Sequence, residues 1–306
     1  MPELPDITVY VERLTSLVGS AVLERVRLKS PFLLRSVSPP ISAVNGKVVQ
    51  GVRRLGKRIV FELEGDLFLV LHLMISGRLH WKKAGAALGG RISLAAFDFA
   101  MGSLVLTEAS SRKRASLYVV QGEGELELHD RGGLEPLGSS YAQFKQRLLL
   151  ENRTLKRALT SPHLFSGIGN AYSDEILHAA GLSPVTLTSR LSPADIKKLH
   201  RATQTTLRRW IDVLRAESKD SFPEKVTAFR PDMAVHGKYL QPCPTCGTAV
   251  QRIRYAENEV NYCPRCQTEG RMLADRSLSR LLGSDWTKTV EDWEDEHPQR
   301  PEGAPG

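Results

Sequence analysis

No apolar run in this 306-residue chain approaches the roughly 20 residues that a membrane-spanning helix requires. The longest, Leu67–Ile75, is broken by His72, so no membrane partner is expected. The chain opens MPELPD, with no basic stretch leading into an apolar one, and a secretory signal is not expected. No GxSxG elbow and no Walker-type phosphate loop occurs, which leaves a serine hydrolase or a P-loop enzyme without support. Cysteine is confined to four residues, and none is left over from a paired pattern. Acidic residues are in deficit, with 34 Asp and Glu against 42 Lys and Arg.

What is present is a globular composition. Apolar residues make up 41% and charged residues 25%, enough apolar mass for real cores and too little polarity for a disordered chain. The length suggests about two domains. Charge is unevenly placed. From Trp286 onward, six acids (Glu291, Asp292, Glu294, Asp295, Glu296, Glu302) face only Lys288 and Arg300, a local −4 against a total of +8, leaving +12 on the rest. A basic body with an acidic tail points to a polyanionic partner, nucleic acid first, although a solvated basic surface explains the charge equally well.

Cys243, Cys246, Cys263 and Cys266 read CxxC-x16-CxxC, within the spacing of a four-thiolate zinc site. Four protein ligands leave no open position for water, so such a zinc is structural. Disulfides are the poorer reading where thiols are kept reduced. The module also carries Arg252, Arg254, Tyr255 and Arg265. These either meet a nucleic acid or merely close a domain.

Periodicity divides the chain. Asp6 is a candidate cap for a helix with an apolar stripe at Ile7, Tyr10, Val11, Leu14, Leu17 and Val18. From Val22 the pattern turns strand-like. Asn45-Gly46 reads as a tight hairpin turn. Glu64-Gly65-Asp66 separates the runs Ile59–Leu63 and Leu67–Leu73, and further strands are expected at Leu94–Phe99, Leu104–Thr107 and Leu117–Val120. HDRGGLEPLGSS, from His129 to Ser140, reads as a linker. Beyond it the period is helical. Ser192, Pro193 and Asp195 mark a helix start, with Ile196, Leu199, Leu207, Trp210, Ile211 and Leu214 as its buried face. The expected division is 1–128, a linker at 129–140, 141–235, 236–270 and an extension at 271–306 whose acidic tail is mobile.

Three features carry chemistry. Proline after an initiator methionine permits removal of that methionine, which makes Pro2 a free secondary amine. An α-amino group has a pKa of about 7.7–8.0, so a useful fraction is an unprotonated nucleophile near neutral pH. On a sugar aldehyde carbon it forms an iminium that cannot discharge by losing a nitrogen proton. Glu3 is the adjacent carboxyl for proton transfer. A flexible terminus is the bland alternative. SGIGNAYSDEILHAAGLSP (Ser166–Pro184) is a glycine-punctuated turn entering a helix, a place where backbone N–H groups meet an anion, or else an ordinary helical hairpin. Lys57, in RRLGKRIV at the start of an expected strand, is taken alone a solvated lysine.

The ensemble MPELPD, LGKR, HLMISG (His72–Gly77), SGIGNAYSDEIL and CPTC…CPRCQ, in that order, resembles the formamidopyrimidine-DNA glycosylase / endonuclease VIII family of bacterial base-excision repair enzymes, over residues 1 to about 267. The resemblance implies an α+β fold: an N-terminal β-sandwich with one leading helix, a helix-two-turn-helix domain, and a four-cysteine zinc finger holding one structural zinc. It implies a monomer of the bacterial cytosol acting on damaged double-stranded DNA in a basic cleft, with the damaged nucleotide turned out of the stack. Pro2 would attack the sugar carbon, Glu3 would serve ring opening, and Lys57 would assist base loss and elimination. Ile75 would fill the space of the extruded base, and Arg112, Lys156 and Asn170 would hold phosphates.

The chain also departs from the family. Asn258 stands where the zinc hairpin commonly has an arginine linked to δ-elimination. HLMISG replaces HLxMSG, and SSRKRASL (Ser110–Leu117) lacks the wedge phenylalanine. Ala216–Tyr239 lacks the Gly/Thr-rich loop that closes over oxidised purines. The expected function is therefore a glycosylase with AP lyase activity. A preference for oxidised pyrimidines or abasic sites, and a non-catalytic damaged-DNA binder, stay open beside it.

Overall fold

The near-continuous apolar runs at 59–63 and 67–71 fit strands buried on both faces rather than one, and the computed structural model has them so. It describes residues 1–219, 221–224, 226, 230–255, 258–274 and 287–296. The elements are α1 (Leu4–Val18), β1 (Val22–Leu23), β2 (Arg25–Leu28), β3 (Lys47–Leu55), β4 (Arg58–Leu63), β5 (Leu67–His72), β6 (Gly77–Lys82), β7 (Ser93–Phe99), β8 (Gly102–Glu108), β9 (Ser116–Gln121), α2 (Glu123–Glu127), α3 (Tyr141–Leu148), α4 (Leu155–Thr160), α5 (Asn170–Ala180), α6 (Pro193–Glu217), β10 (Gln251–Tyr255), β11 (Asn258–Tyr262), α7 (Pro264–Thr268) and α8 (Val290–Glu296). No helix among the described residues is long and apolar enough to cross a membrane.

Two compact units emerge. The first comprises Met1–Gly138, Ser161–Ile168 and Leu207–Ala228. It is a sandwich of two antiparallel sheets, ordered β1-β3-β4-β5-β9 and β2-β7-β8-β6. Along β4, Ile59, Phe61 and Leu63 enter the core between the sheets, where Phe61 stacks on Phe97 with ring centroids 6.0 Å apart. Val60 turns to the other face and packs with Phe68, Val70, Val120 and Leu126 of α2. The stripe Ile7, Tyr10, Leu14 and Val18 buries α1 in the main core.

Three local expectations change. The first helix starts at Leu4 with Glu3 as its cap, so Asp6 lies inside the first turn and accepts the Glu3 N–H at 2.8 Å. Asn45-Gly46 is not a hairpin. A short helical turn, Ile41–Val44, precedes it, and β3 pairs back to β1 across an excursion that contains β2. The Asn45 side-chain oxygen accepts from the Val26 N–H, a demand of the sheet edge that sequence spacing does not reveal. Lys57 sits in the two-residue turn between β3 and β4, not in a strand; Gly56, at φ +62°, supplies the backbone this turn needs.

The second unit comprises Ser139–Thr160, Gly169–Thr206 and Phe229–Gly306. Among its described residues it is helical apart from the β10–β11 hairpin. Ser140 and Gln143 form a capping box at α3, and Ser192 with Asp195 forms one at α6. The whole expected apolar face of α6 is buried. Within the acidic extension, the Val290 side chain is fully buried, and Arg265 of α7 pairs with Glu294 at 3.1 Å and Glu291 at 3.5 Å. Positions 275–286 and 297–306 lie outside the described residues.

Candidate active site

The amino terminus is buried rather than loose. Pro2 is buried and Glu3 is 2% exposed. What pins them is a contact across more than 160 residues: the first helical N–H, on Leu4, donates to the Gly167 carbonyl at 2.9 Å. Gly167 has φ +78°, and a Cβ there would lie 2.7 Å from Leu4 Cβ, so only glycine permits the approach. Ser166 and Arg54 meet the Glu135 carboxylate alongside, which ties the expected linker segment to the same place.

The terminal amine of this structure, that of Met1 just ahead of Pro2, senses Glu3, Arg78, Asp6 and Lys57. Burial lowers its pKa below the usual value; Arg78 and Lys57 push the same way while Glu3 and Asp6 resist. An amine at this chain start holds its proton less tightly than one in water, which favours its nucleophilic form. Burial raises the Asp6 carboxyl to about 7 against the opposing Glu3 N–H bond. Its Oδ1 has no partner among the described residues. Lys57 is half-buried at the tip of its turn.

Two members of this group escaped the sequence reading. Arg78 opens out of the turn after His72, its guanidinium donating to the Gly77 carbonyl at 2.7 Å. His72 pairs with Arg58 across β4 and β5, the neighbour of Lys57. Burial, then Arg58 and Lys57, lower its pKa to about 4, so the imidazole is neutral. The strand register brings His72 beside Lys57, and the only linear signal was its place at the head of HLMISG.

Ile75 is thrust out by a strained turn. Met74 takes φ +53°, uncommon for an unbranched apolar residue, and costs about 1 kcal/mol or more. The Gly77 N–H closes the turn on the Leu73 carbonyl at 3.0 Å. A Cβ on Gly77 would sit 2.3 Å from that oxygen. Ile75 is left 51% exposed, an apolar side chain facing water. Arg112 is exposed in the loop after β8. The loop's base is fixed by Glu108, only 1% exposed, whose carboxylate accepts the N–H groups of Arg114 and Ala115.

Lys156 and Asn170 belong to the second unit. Lys156 Nζ turns inward, donating to Asp174 Oδ1 at 2.5 Å and to the Asn170 carbonyl at 2.6 Å. Asn170, half-exposed, opens α5 and donates its amide to the Glu259 carbonyl of β11 at 3.0 Å. Asp174 also receives His236 Nδ1 at 2.8 Å and the Asn261 N–H at 3.2 Å. The next residue, Glu175, receives the N–H groups of Ala234, Val235 and His236. A buried carboxylate pair on α5 thus gathers α4, β11 and the 234–236 segment. Asn258 begins β11, and its side chain lies outside what is described.

The four cysteines converge, every Sγ within 4.8 Å of the others. A tetrahedral zinc with Zn–S bonds of about 2.3 Å spaces its sulfurs by about 3.8 Å. Cys243 and Cys266 are 3.9 Å apart, and Cys246 and Cys263 3.4 Å. Burial and neighbouring thiols push Cys266 up to about 12 and Cys263 well above its ordinary value. At Cys246 hydrogen bonds from Thr248 outweigh burial and bring it down to about 7. Four thiolates cannot coexist there without a cation, and a dication supplies the missing charge. The donor set fits one structural zinc.

Comparison with known proteins agrees along the chain. The model of the formamidopyrimidine-DNA glycosylase N-terminal domain matches residues 1–117, that of the family's H2TH domain residues 133–221, and that of the zinc finger found in FPG and IleRS residues 241–268. The formamidopyrimidine-DNA glycosylase of Bacillus subtilis is 30% identical over 279 residues, covering 88% of this chain and all of that one. A formamidopyrimidine-DNA glycosylase-like protein of Mycobacterium tuberculosis is 40% identical over 128 residues, covering 42% of this chain and 79% of its own. Among solved structures, wild-type Lactococcus lactis Fpg complexed with DNA containing an oxidised pyrimidine superimposes with a TM-score of 0.77 at 25% identity, covering 87% of this chain and all of that one.

Proposed function

The chain belongs to the formamidopyrimidine-DNA glycosylase family, and on that premise we propose that it excises a damaged base from double-stranded DNA and then cuts the strand at the resulting abasic site. The single observation that carries the reading is the buried chain start, where Pro2 and Glu3 are both held out of water and the charges around the Met1 amine ahead of them are Glu3, Asp6, Lys57 and Arg78.

Once the initiator methionine is removed, the Pro2 nitrogen attacks C1′ of a nucleotide turned out of the stack. The C1′–N bond to the base breaks, and the proton given up by the attacking Pro2 nitrogen is relayed through Lys57 to the departing base. Glu3 protonates the ring oxygen as the sugar opens, giving an iminium between Pro2 and C1′. The iminium acidifies C2′–H; loss of that proton expels the 3′-phosphate, which is β-elimination. Ile75 fills the space of the departed nucleotide, while Arg112 and Asn170 meet phosphates. Lys156 contributes through Asn170, whose carbonyl it holds. Such contacts position a duplex without reading its sequence.

The same proposal keeps residues 1–128 as the catalytic domain, 141–235 and 236–270 as the DNA-binding helical domain and the zinc finger, and a monomer of the bacterial cytosol as the working form. The bacterial source of the relatives supports the last point. A preference for oxidised pyrimidines or abasic sites is the second reading, favoured because the exposed tip at Ser111 and Arg112 carries no aromatic residue to probe a stacked purine.

Borohydride in the presence of a duplex with one abasic site tests the chemistry. The expected result is a covalent protein–DNA adduct, mapped to Pro2 by mass spectrometry. A shifted DNA band with no adduct would make the chain a binder of damaged DNA, not an enzyme. Product analysis on duplexes bearing single oxidised purines or pyrimidines separates the two specificities.

A further inference from the structure

A four-thiolate zinc centre carries a net charge of −2, and here it lies against the C-terminal end of a helix, where the backbone dipole is also negative. The end of α5 is close: a Cβ on Gly181 would be 3.4 Å from the Cys266 carbonyl oxygen, and Gln267 donates to the Leu182 carbonyl at 2.9 Å. Such a centre needs hydrogen bonds that draw charge off the sulfurs.

Most of these donors come from inside the finger. Thr248 serves Cys246. The Cys266 N–H reaches Cys263 Sγ at 3.5 Å. Cys243 differs. The residue is 2% exposed, and the donor beside its sulfur is His178 Nε2 at 3.2 Å, on the last turn of α5. A zinc-bound thiolate can only accept, which settles the tautomer: the hydrogen is on Nε2.

We propose that His178 is a positioning residue for the zinc centre, donating its Nε2–H to the Cys243 thiolate and so coupling retention of the metal to helix α5. The helix that opens with Asn170 and gathers α4 and β11 through Asp174 and Glu175 thereby reaches the metal at its other end. The proposal stands on the zinc site alone and holds whether or not the chain excises bases.

The full-length zinc protein is compared with His178→Phe, which fills the space but cannot donate, and His178→Gln, whose side-chain amide can reach the same atom. Zinc release to a chromophoric chelator is followed, together with the sulfur-to-metal charge-transfer band after cobalt substitution. The expectation is release about tenfold faster in H178F, in line with loss of a second-layer partner elsewhere. The cobalt band of H178F moves to lower energy, because an unbonded thiolate is the better electron donor. H178Q restores both. Wild-type release and an unmoved band in H178F would overturn the proposal. So would equal zinc loss in both variants with the band unmoved, which would reduce His178 to packing. Should H178F fail to bind zinc at all, H178Q decides: wild-type retention supports the hydrogen bond, and loss of the metal overturns it.

Discussion

At the scale of single residues, Pro2 and Asp6 are the positions where the fold acts on chemistry. Pro2→Gly leaves a primary amine whose imine can lose its nitrogen proton. Borohydride trapping on an abasic duplex should fall at least about tenfold, while thermal unfolding stays unchanged because α1 begins only at Leu4. Asp6 makes a prediction with a definite sign. In the fold its carboxyl keeps its proton to about 7, whereas the unfolded carboxyl ionises near 3.8. Between these values folding takes up a proton, so the stability this group contributes is complete below pH 3.8 and is lost as pH rises through about 7. Urea unfolding of the wild type at pH 5 and pH 7.5 should show the fall, and Asp6→Asn should flatten it; an unchanged slope would sink the assignment. Pro2 and Glu3 became candidates only through the family resemblance, since a proline and a glutamate at a chain start are by themselves an ordinary flexible terminus. Arg78 and His72 did not, since an arginine or a histidine near a strand end is ordinary until the register assigns its neighbours.

At the scale of elements, glycines decide two close approaches. Gly167→Ala forces a left-handed alanine and drives its Cβ to 2.7 Å from Leu4. About 2 kcal/mol of lost stability is expected from backbone and overpacking costs together, measurable by chemical denaturation. The variant should also trap poorly, because it displaces the start of α1. A fully stable, fully active G167A would refute the pinning of the terminus by this loop. Strands β4 and β5 and helix α6 were readable from apolar period and capping residues, which are local causes with local effects. The Asn45-Gly46 turn misled for the opposite reason: a good turn dipeptide says that the chain bends, not which strand it rejoins.

For the whole molecule, charge and metal are the levers. With +12 outside the acidic tail, affinity for duplex DNA should drop at least about tenfold between 50 and 200 mM salt, through counterion release; a flat dependence measured by anisotropy would contradict a phosphate-dominated contact. Cys246→Ser should lose zinc and unfold the finger, seen as metal content below one per chain and a new low-temperature transition, since metal binding and folding are coupled here. By itself the sequence determined the main strand runs, the long helix and the four thiolates, because spacing and period are properties of short stretches, while the candidate nucleophile rested on the ordered set of family motifs. Only the tertiary structure decided that Lys156 faces Asp174, that Gly167 clasps the amino terminus, and that His178 meets Cys243. Burial makes a charge or a polar hydrogen take whatever partner the packing brings, and packing joins residues that the chain keeps far apart.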